Sequence, residues 1–172
     1  YRYKQYFVSL GDLFTDFASY LPYYVYVIDD GTYGLGIASF LTGELGMYPR
    51  GYYQTDEPDN AAFAVTENAI TEANPEWQGK TFAEGDNAII QKKIREDYGD
   101  SKTKALIVGS TWDKELAEET GSILLRHSMP ITDVVITNKT YVGYRGGLTL
   151  LEDIYSGLFN KGMISNTTHA EE

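Results

Sequence analysis

Two short runs have no polar face at all. Residues 24–28 read YVYVI and residues 105–108 read ALIV. A strand that is apolar on both sides must be covered on both sides, which is the condition of a parallel strand inside a layered α/β domain rather than of a half-wet antiparallel one. Shorter strand signals stand at residues 47–53, where Gly51 interrupts the pattern, at 81–83 and at 123–125. Helical stretches alternate with them. Residues 34–46 (GLGIASFLTGELG) read as a helix closed by Gly46, residues 61–73 as a helix started by Asp59 or Asn60 and ended before Pro75, and residues 88–98 as a third. Ser110 or Thr111 caps a fourth over residues 112–119, with Asp113 in its first turn, where the helix dipole favours an acid. A strand–helix alternation of this kind predicts a three-layer, Rossmann-like α/β fold: an open sheet of four or five mainly parallel strands with helices on both faces.

The two ends of the chain read differently. Residues 3–21 place Tyr6, Phe7, Leu10, Leu13, Phe14, Phe17 and Leu21 at helical spacing, and Pro22 stops that helix. Residues 161–172 are polar and read as a flexible tail. The expected organisation is therefore an N-terminal helix over 1–22, a single α/β domain over 23–160 and the tail, the whole being one domain cut from a larger subunit. Near the C-terminus, Gly143, Gly146 and Gly147 lead into Leu148, Leu151, Ile154, Tyr155 and Leu158 at helical spacing. This predicts a sharp glycine turn feeding a closing helix over residues 148–159, because glycine admits positive φ and close backbone approach.

Ligands of open α/β sheets bind beyond the carboxyl ends of the strands, where the strand order reverses. Three loops are expected there: residues 29–34, 109–112 and 126–133. The first contains Gly31, Thr32, Gly34 and Gly36 in a GxxGxG spacing rather than the GxGxxG of dinucleotide sites, and Asp29 and Asp30 beside it repel a pyrophosphate. Asp29 and Asp30 are adjacent on an extended strand end, so they point to opposite sides and make a poor chelating pair. His127 lies at a strand end beside Ser128, with Asp133 downstream, but no GxSxG elbow is present to build a Ser–His–Asp nucleophile. The candidate binding residues are thus Asp30, Gly31, Thr32, Ser110, Thr111 and His127.

Composition narrows the partners. The net charge of −11 argues against nucleic acid and anionic membrane, and the only basic knot, Lys92, Lys93 and Arg95, shares its helix with Glu96 and Asp97. No run is long and apolar enough for a membrane span. With no cysteine, the chain can build neither a disulfide nor a thiolate-held iron–sulfur cluster. The 15 tyrosines are an excess; those at 20, 23, 24, 26, 33, 48, 52 and 53 serve either an interface or the covering of core that would otherwise lie open. From the residues alone, a free-standing small-molecule-binding module and a structural interaction domain remain open alternatives.

GYRGGLTLLEDIY (residues 143–155) resembles the final-helix motif of nitrogenase component 1 proteins, closest to the β-type subunit, with Gly143, Tyr144, Gly146 and Gly147 as its distinctive part. LLRHSMPITD (124–133) and ALIVGSTWDKELAEETG (105–121) are similar to the segments that precede it in that family, in the same order. The resemblance implies the C-terminal domain of a β-type subunit. It implies an α-type component 1 subunit and an ATP-hydrolysing iron protein as partners, an iron–sulfur cluster in the parent protein held by cysteines outside this chain, and a cytoplasmic location. In the family the substrate-reducing cofactor is bound by a Cys and a His of the α-type subunit. The residues after His127 (Met129, Pro130, Ile131) follow the β-type pattern, so ligation does not carry over to it. The resemblance therefore implies a chain that is scaffold and subunit contact, catalytically silent alone, within a nitrogenase-like reductase more divergent than a dinitrogen-reducing enzyme.

Overall fold

The computed structural model describes residues 20–135 and 139–161. The expected N-terminal helix and the tail lie outside the described residues, apart from their last and first positions. The chain divides into two compact units: Pro22–Val134, and Tyr1–Leu21 together with Val135–Glu172.

The larger unit holds a sheet of five strands, β1 (Tyr24–Asp29), β2 (Tyr48–Gln54), β3 (Thr81–Ala83), β4 (Ala105–Gly109) and β5 (Ile123–Arg126). Their order is β3-β2-β1-β4-β5, and every neighbouring pair is parallel. The α/β reading therefore holds with its upper strand number. The register between β1 and β2 slips after Val25, so that Val25 faces Pro49 and Tyr26 faces Gly51, leaving Arg50 as the extra residue. A side chain at Gly51 would stand 2.8 Å from the Tyr53 ring, which explains a glycine inside a strand.

Helices α1 (Tyr33–Gly43) and α2 (Asn60–Ala73) lie on one side of the sheet, where Leu41, Tyr52, Ile70 and Trp77 are fully buried. The Trp77 indole donates to Thr42 at 3.2 Å, so the largest core side chain has its one polar atom satisfied. On the other side, Tyr26, Ile28, Tyr53 and Ile107 pack against α3 (Asn87–Tyr98) and α4 (Lys114–Glu119). Helix α3 shows the logic plainly. Ile90 and Ile94 are one turn apart and wholly buried, whereas its cations point outward to acids: Lys92 to Glu96, Lys93 to Glu84, and Arg95 to Glu119 at 2.6 Å.

Local signals set most boundaries. Asp59 is the α2 cap, accepting from the Ala62 amide at 2.8 Å. Asp86 caps α3 through the amides of Ala88 and Ile89. Two expectations need correction. Helix α1 stops at Gly43 rather than at Gly46, which instead sits at φ +68° in the turn that aims the chain into β2. The closing helix α5, in the other unit, runs Gly143–Asn160, so the glycines belong to the helix and do not form a turn before it. Gly143 alone has positive φ, +71°. Gly146 is needed for close approach: a Cβ there would stand 2.1 Å from the Tyr141 carbonyl carbon. Tyr141 and Lys139 both donate to Asp153, at 2.5 and 2.6 Å, which fastens the segment before the helix to its third turn. Along α5, Gly147, Leu150, Leu151, Ile154, Tyr155 and Leu158 form the buried stripe, while Tyr144 is exposed.

Candidate functional site at the carboxyl edge of the sheet

The chain leaves β1 toward β2 and β3 on one side, then returns to place β4 and β5 on the other. The reversal puts the switch point between β1 and β4, and the carboxyl ends there are where this architecture binds ligands. All three expected loops, residues 29–34, 109–112 and 126–133, come to this edge.

The first of them has consumed its own anion-binding capacity. Asp30 Oδ1 accepts from the backbone amides of Thr32 and Tyr33, both at 2.7 Å, so the donors at the start of α1 are already occupied by a carboxylate. Gly31 is there for proximity, since a Cβ would lie 2.3 Å from the Gln54 amide nitrogen. Gly34 serves likewise, its missing Cβ falling 2.7 Å from Asp29 Cβ and 2.8 Å from the Tyr52 hydroxyl. That hydroxyl donates to the Asp30 carbonyl at 2.5 Å. Burial, followed by the charges of Asp29, Asp30 and Asp56, pushes the phenol well above its ordinary range, so it acts as a donor only.

After β4, Ser110 and Asp113 make a reciprocal cap. The Asp113 carboxylate accepts from the Ser110 amide and hydroxyl at 2.8 and 3.0 Å, and Ser110 Oγ accepts from the Trp112 amide. Gly109 is obligatory beside it, because a Cβ would stand 2.5 Å from that carboxylate. Thr111 ties the next loop in: its amide donates to the Pro130 carbonyl, its hydroxyl donates to Asp133 at 2.9 Å, and the same hydroxyl accepts from the Thr132 amide. Arg126 grips Asp133 with both ends of its fork, and this guanidinium holds the Asp133 carboxyl at about 2.

His127 follows β5, and its amide donates to the Gly109 carbonyl at 2.8 Å. Its Nδ1 is hydrogen-bonded to Oδ2 of Asp29, across the end of β4. The other Asp29 oxygen accepts from the Asp30 amide at 2.9 Å. Asp29 is 3% exposed and the His127 side chain 16%, and the Tyr33 ring stands edge-on to the imidazole with centroids 6.5 Å apart. The imidazole is thus paired with Asp29, not with Asp133, and the Ser128 amide turns back to Gly109. Asp29 and Asp30 take separate partners. Next to Asp29, in register on β2, Gln54 is 2% exposed, and its Oε1 has no hydrogen-bond partner among the described residues.

Of the candidate residues, Asp30, Gly31, Thr32, Ser110, Thr111 and His127 all reach this edge, but the first five are committed to turns and caps. Sequence reading missed Gln54 and the Asp29–His127 pairing. The signal for the pairing was the placement of each at a strand end, and its partner choice depended on strand order. Large apolar side chains rim the edge in the open: Tyr33, Trp112 and Met129 are 62%, 64% and 80% exposed.

Comparison with known proteins agrees with this architecture. Residues 14–159 match the family model of nitrogenase component 1 type oxidoreductases. The chain belongs to that family. A solved structure of nitrogenase Cp1 at pH 6.5 superposes with a TM-score of 0.73 at 22% identity, over 98% of this chain and 36% of that one, so this chain spans about a third of the protein it matches in fold. No curated protein sequence matches it significantly.

An iron–sulfur cluster does not fit the residues at hand. The chain has no cysteine, and among the described residues no three His, Cys, Asp or Glu side chains gather to hold a metal ion. Nor is any helix among them long and apolar enough to cross a membrane.

Proposed function

We propose that this chain is the C-terminal domain of a β-type subunit in a nitrogenase-like, ATP-driven iron–sulfur oxidoreductase of the cytoplasm. Its work there is structural: it forms scaffold and subunit contact, and it is catalytically silent by itself. The partners are an α-type component 1 subunit and an ATP-hydrolysing iron protein, and the cluster is held by cysteines outside this sequence. The observation that carries the reading is the family match over residues 14–159 in a chain without a single cysteine. The exposed aromatic and thioether side chains at the carboxyl edge support a contact role, since Trp, Tyr and Met are enriched in the cores of protein interfaces.

The test is anaerobic purification of the native polypeptide that contains this sequence, through a tag at its C-terminus. The expected product is a complex of two component 1 subunits that contains iron, and that oxidises a reduced iron protein in the presence of ATP. An iron-free product with no second subunit overturns the proposal. So does reductase activity from the 172-residue chain alone.

A further inference from the structure

We propose that the carboxyl edge of the sheet is a two-part docking surface for a segment of the parent polypeptide outside this chain, cationic at one end and apolar at the other. The strand order lays the surface out. Over β3 and β2 stand the exposed acids Asp86, Asp56, Glu57 and Asp59, whereas Tyr33, Trp112 and Met129 stand exposed over β1, β4 and β5. Acid thus fills one half of the edge and large apolar side chains the other. Four strand spacings separate β3 from β5, about 19 Å, which about 13 residues of helix or about 6 of extended chain would cover.

The apolar half does nothing for the fold. A large apolar side chain left in water adds little to the core, and three on neighbouring loops make a patch rather than scattered exposure. The three are also held still. The Thr111 amide donates to the Pro130 carbonyl at 2.9 Å, which joins the loops that carry Trp112 and Met129, and the Trp112 carbonyl accepts from Gln91 at 2.9 Å. The Tyr33 ring stands edge-on against His127. Side chains fixed before binding lose less entropy on contact. In the acidic half, Glu57 holds φ +48°, a conformation that residues other than glycine seldom adopt. Its carboxylate lies against Gly85, where a Cβ would meet it at 3.0 Å, so the β2 and β3 loops are joined as well. Lys93 and Arg126 do not neutralise these acids, because they answer Glu84 and Asp133.

Charge and length choose the occupant. A second copy is disfavoured: each chain carries −11, and pairing two such edges in either direction sets acid against acid or acid against apolar surface. What complements the surface is a segment with Lys or Arg at one end and bulky apolar side chains at the other. The chain spans 36% of the structure it matches in fold, so a protein of that plan has further polypeptide within reach. A tethered segment meets the surface at a high effective concentration. The inference rests on the subunit reading for one point alone, that this chain is part of a longer polypeptide; iron, ATP and a second subunit do not enter it.

Two measurements test it, and failure of either overturns it. In the native polypeptide that contains this sequence, Met129 is replaced by the photo-crosslinking residue p-benzoylphenylalanine, and the product is mapped by mass spectrometry. The expected cross-link leaves the polypeptide's gel mobility that of one chain and joins a segment outside these residues, with Lys or Arg flanking an apolar cluster. Cross-links only within these residues, to a second copy, to a separate polypeptide, to an acidic segment or to nothing overturn the proposal, with or without iron in the preparation. The subunit reading fails separately, by the absence of iron and of a second subunit. In the other measurement, the full chain is titrated with a peptide of about 13 residues, lysines in one half and leucines in the other, and with its counterpart carrying glutamates for lysines. Trp112 is the reporter, since the other of the two tryptophans, Trp77, is fully buried. The lysine peptide alone is expected to shift the emission to the blue, with affinity falling about tenfold by about 0.5 M salt and about as much in Asp56→Lys. Met129→Ser is expected to weaken it severalfold. No binding, equal binding of the two peptides, or affinity indifferent to salt overturns the proposal, and the salt series needs no variant to fold.

Discussion

The two ends of the sheet are built on opposite principles. At the amino end, large rings and long cations pack on one another. The Tyr23 and Tyr48 rings stack at 4° with centroids 5.9 Å apart, Tyr24 tilts against both, Lys80 sits 4.0 Å from the Tyr48 centroid and Arg50 4.8 Å from that of Tyr24. Arg50 also forks onto Asp97, which receives the Tyr26 hydroxyl at 2.7 Å. Each contact there is supported by others, and the rings cover the strand starts. At the carboxyl end the residues are small and close. Gly31, Gly34 and Gly109 let side chains and backbone approach within ordinary contact, buried carboxylates take fixed donors, and Gln54 Oε1 is left over. The difference teaches where this fold tolerates change: dispersion and area absorb alteration, whereas interlocked polar geometry does not.

Substitutions at the two ends sharpen or break that contrast. The largest effect is expected from Gly34→Ala, whose new methyl meets Asp29 and the Tyr52 hydroxyl, both fixed by buried strands; overpacking of this kind costs about 2–3 kcal/mol, read from the urea midpoint. Gly36→Ala, two residues later in the same helix and with nothing within 4 Å, is the control, and is expected to be neutral or stabilising by up to about 1 kcal/mol. Equal losses at both glycines would remove the argument from close approach. Asp113→Ala comes next, with a loss of about 2 kcal/mol in the same assay, because it abolishes a cap and strands the buried Ser110 amide.

At the amino end the expected effects shrink. Tyr26→Phe removes one hydroxyl while Asp97 keeps Arg50, a loss of about 1 kcal/mol by thermal melting. Were that loss to exceed the one at Asp113, the ranking of the two ends would be inverted. The smallest effect is a pH dependence. Asp133 is held at about 2 against an ordinary 3.8, so the folded-state value is depressed. Its contribution is therefore present above pH 3.8 and is lost as pH falls through about 2. Arg126→Met should flatten that part of the acid limb, and urea midpoints compared at about pH 5 and pH 3 check it. The pair is partly solvated, so the change is modest.

Much of the fold was legible locally. YVYVI and ALIV announced buried parallel strands, and Asp59 and Ser110 announced helix starts, because apolar period and capping chemistry act over a few residues. The glycines of α5 misled for the same reason. Three in five positions read as a turn, yet Gly146 is small because the Tyr141 backbone crosses it, which spacing does not reveal. The site was legible as a set of loops but not as a set of bonds. His127 had a serine beside it and an aspartate six residues on; its partner stands 98 residues away. Asp133 went to Arg126 and Thr111 instead.

What the sequence determined by itself was the class of architecture, the helix starts, the absence of thiolate ligands and the motif that speaks for the family, since each is a property of short stretches or of composition. What only the tertiary structure decided was the strand order and, with it, which polar groups meet at the switch point. Placing β4 between β1 and β5 sets the distance across which an imidazole must reach; no window of neighbouring residues carries that information.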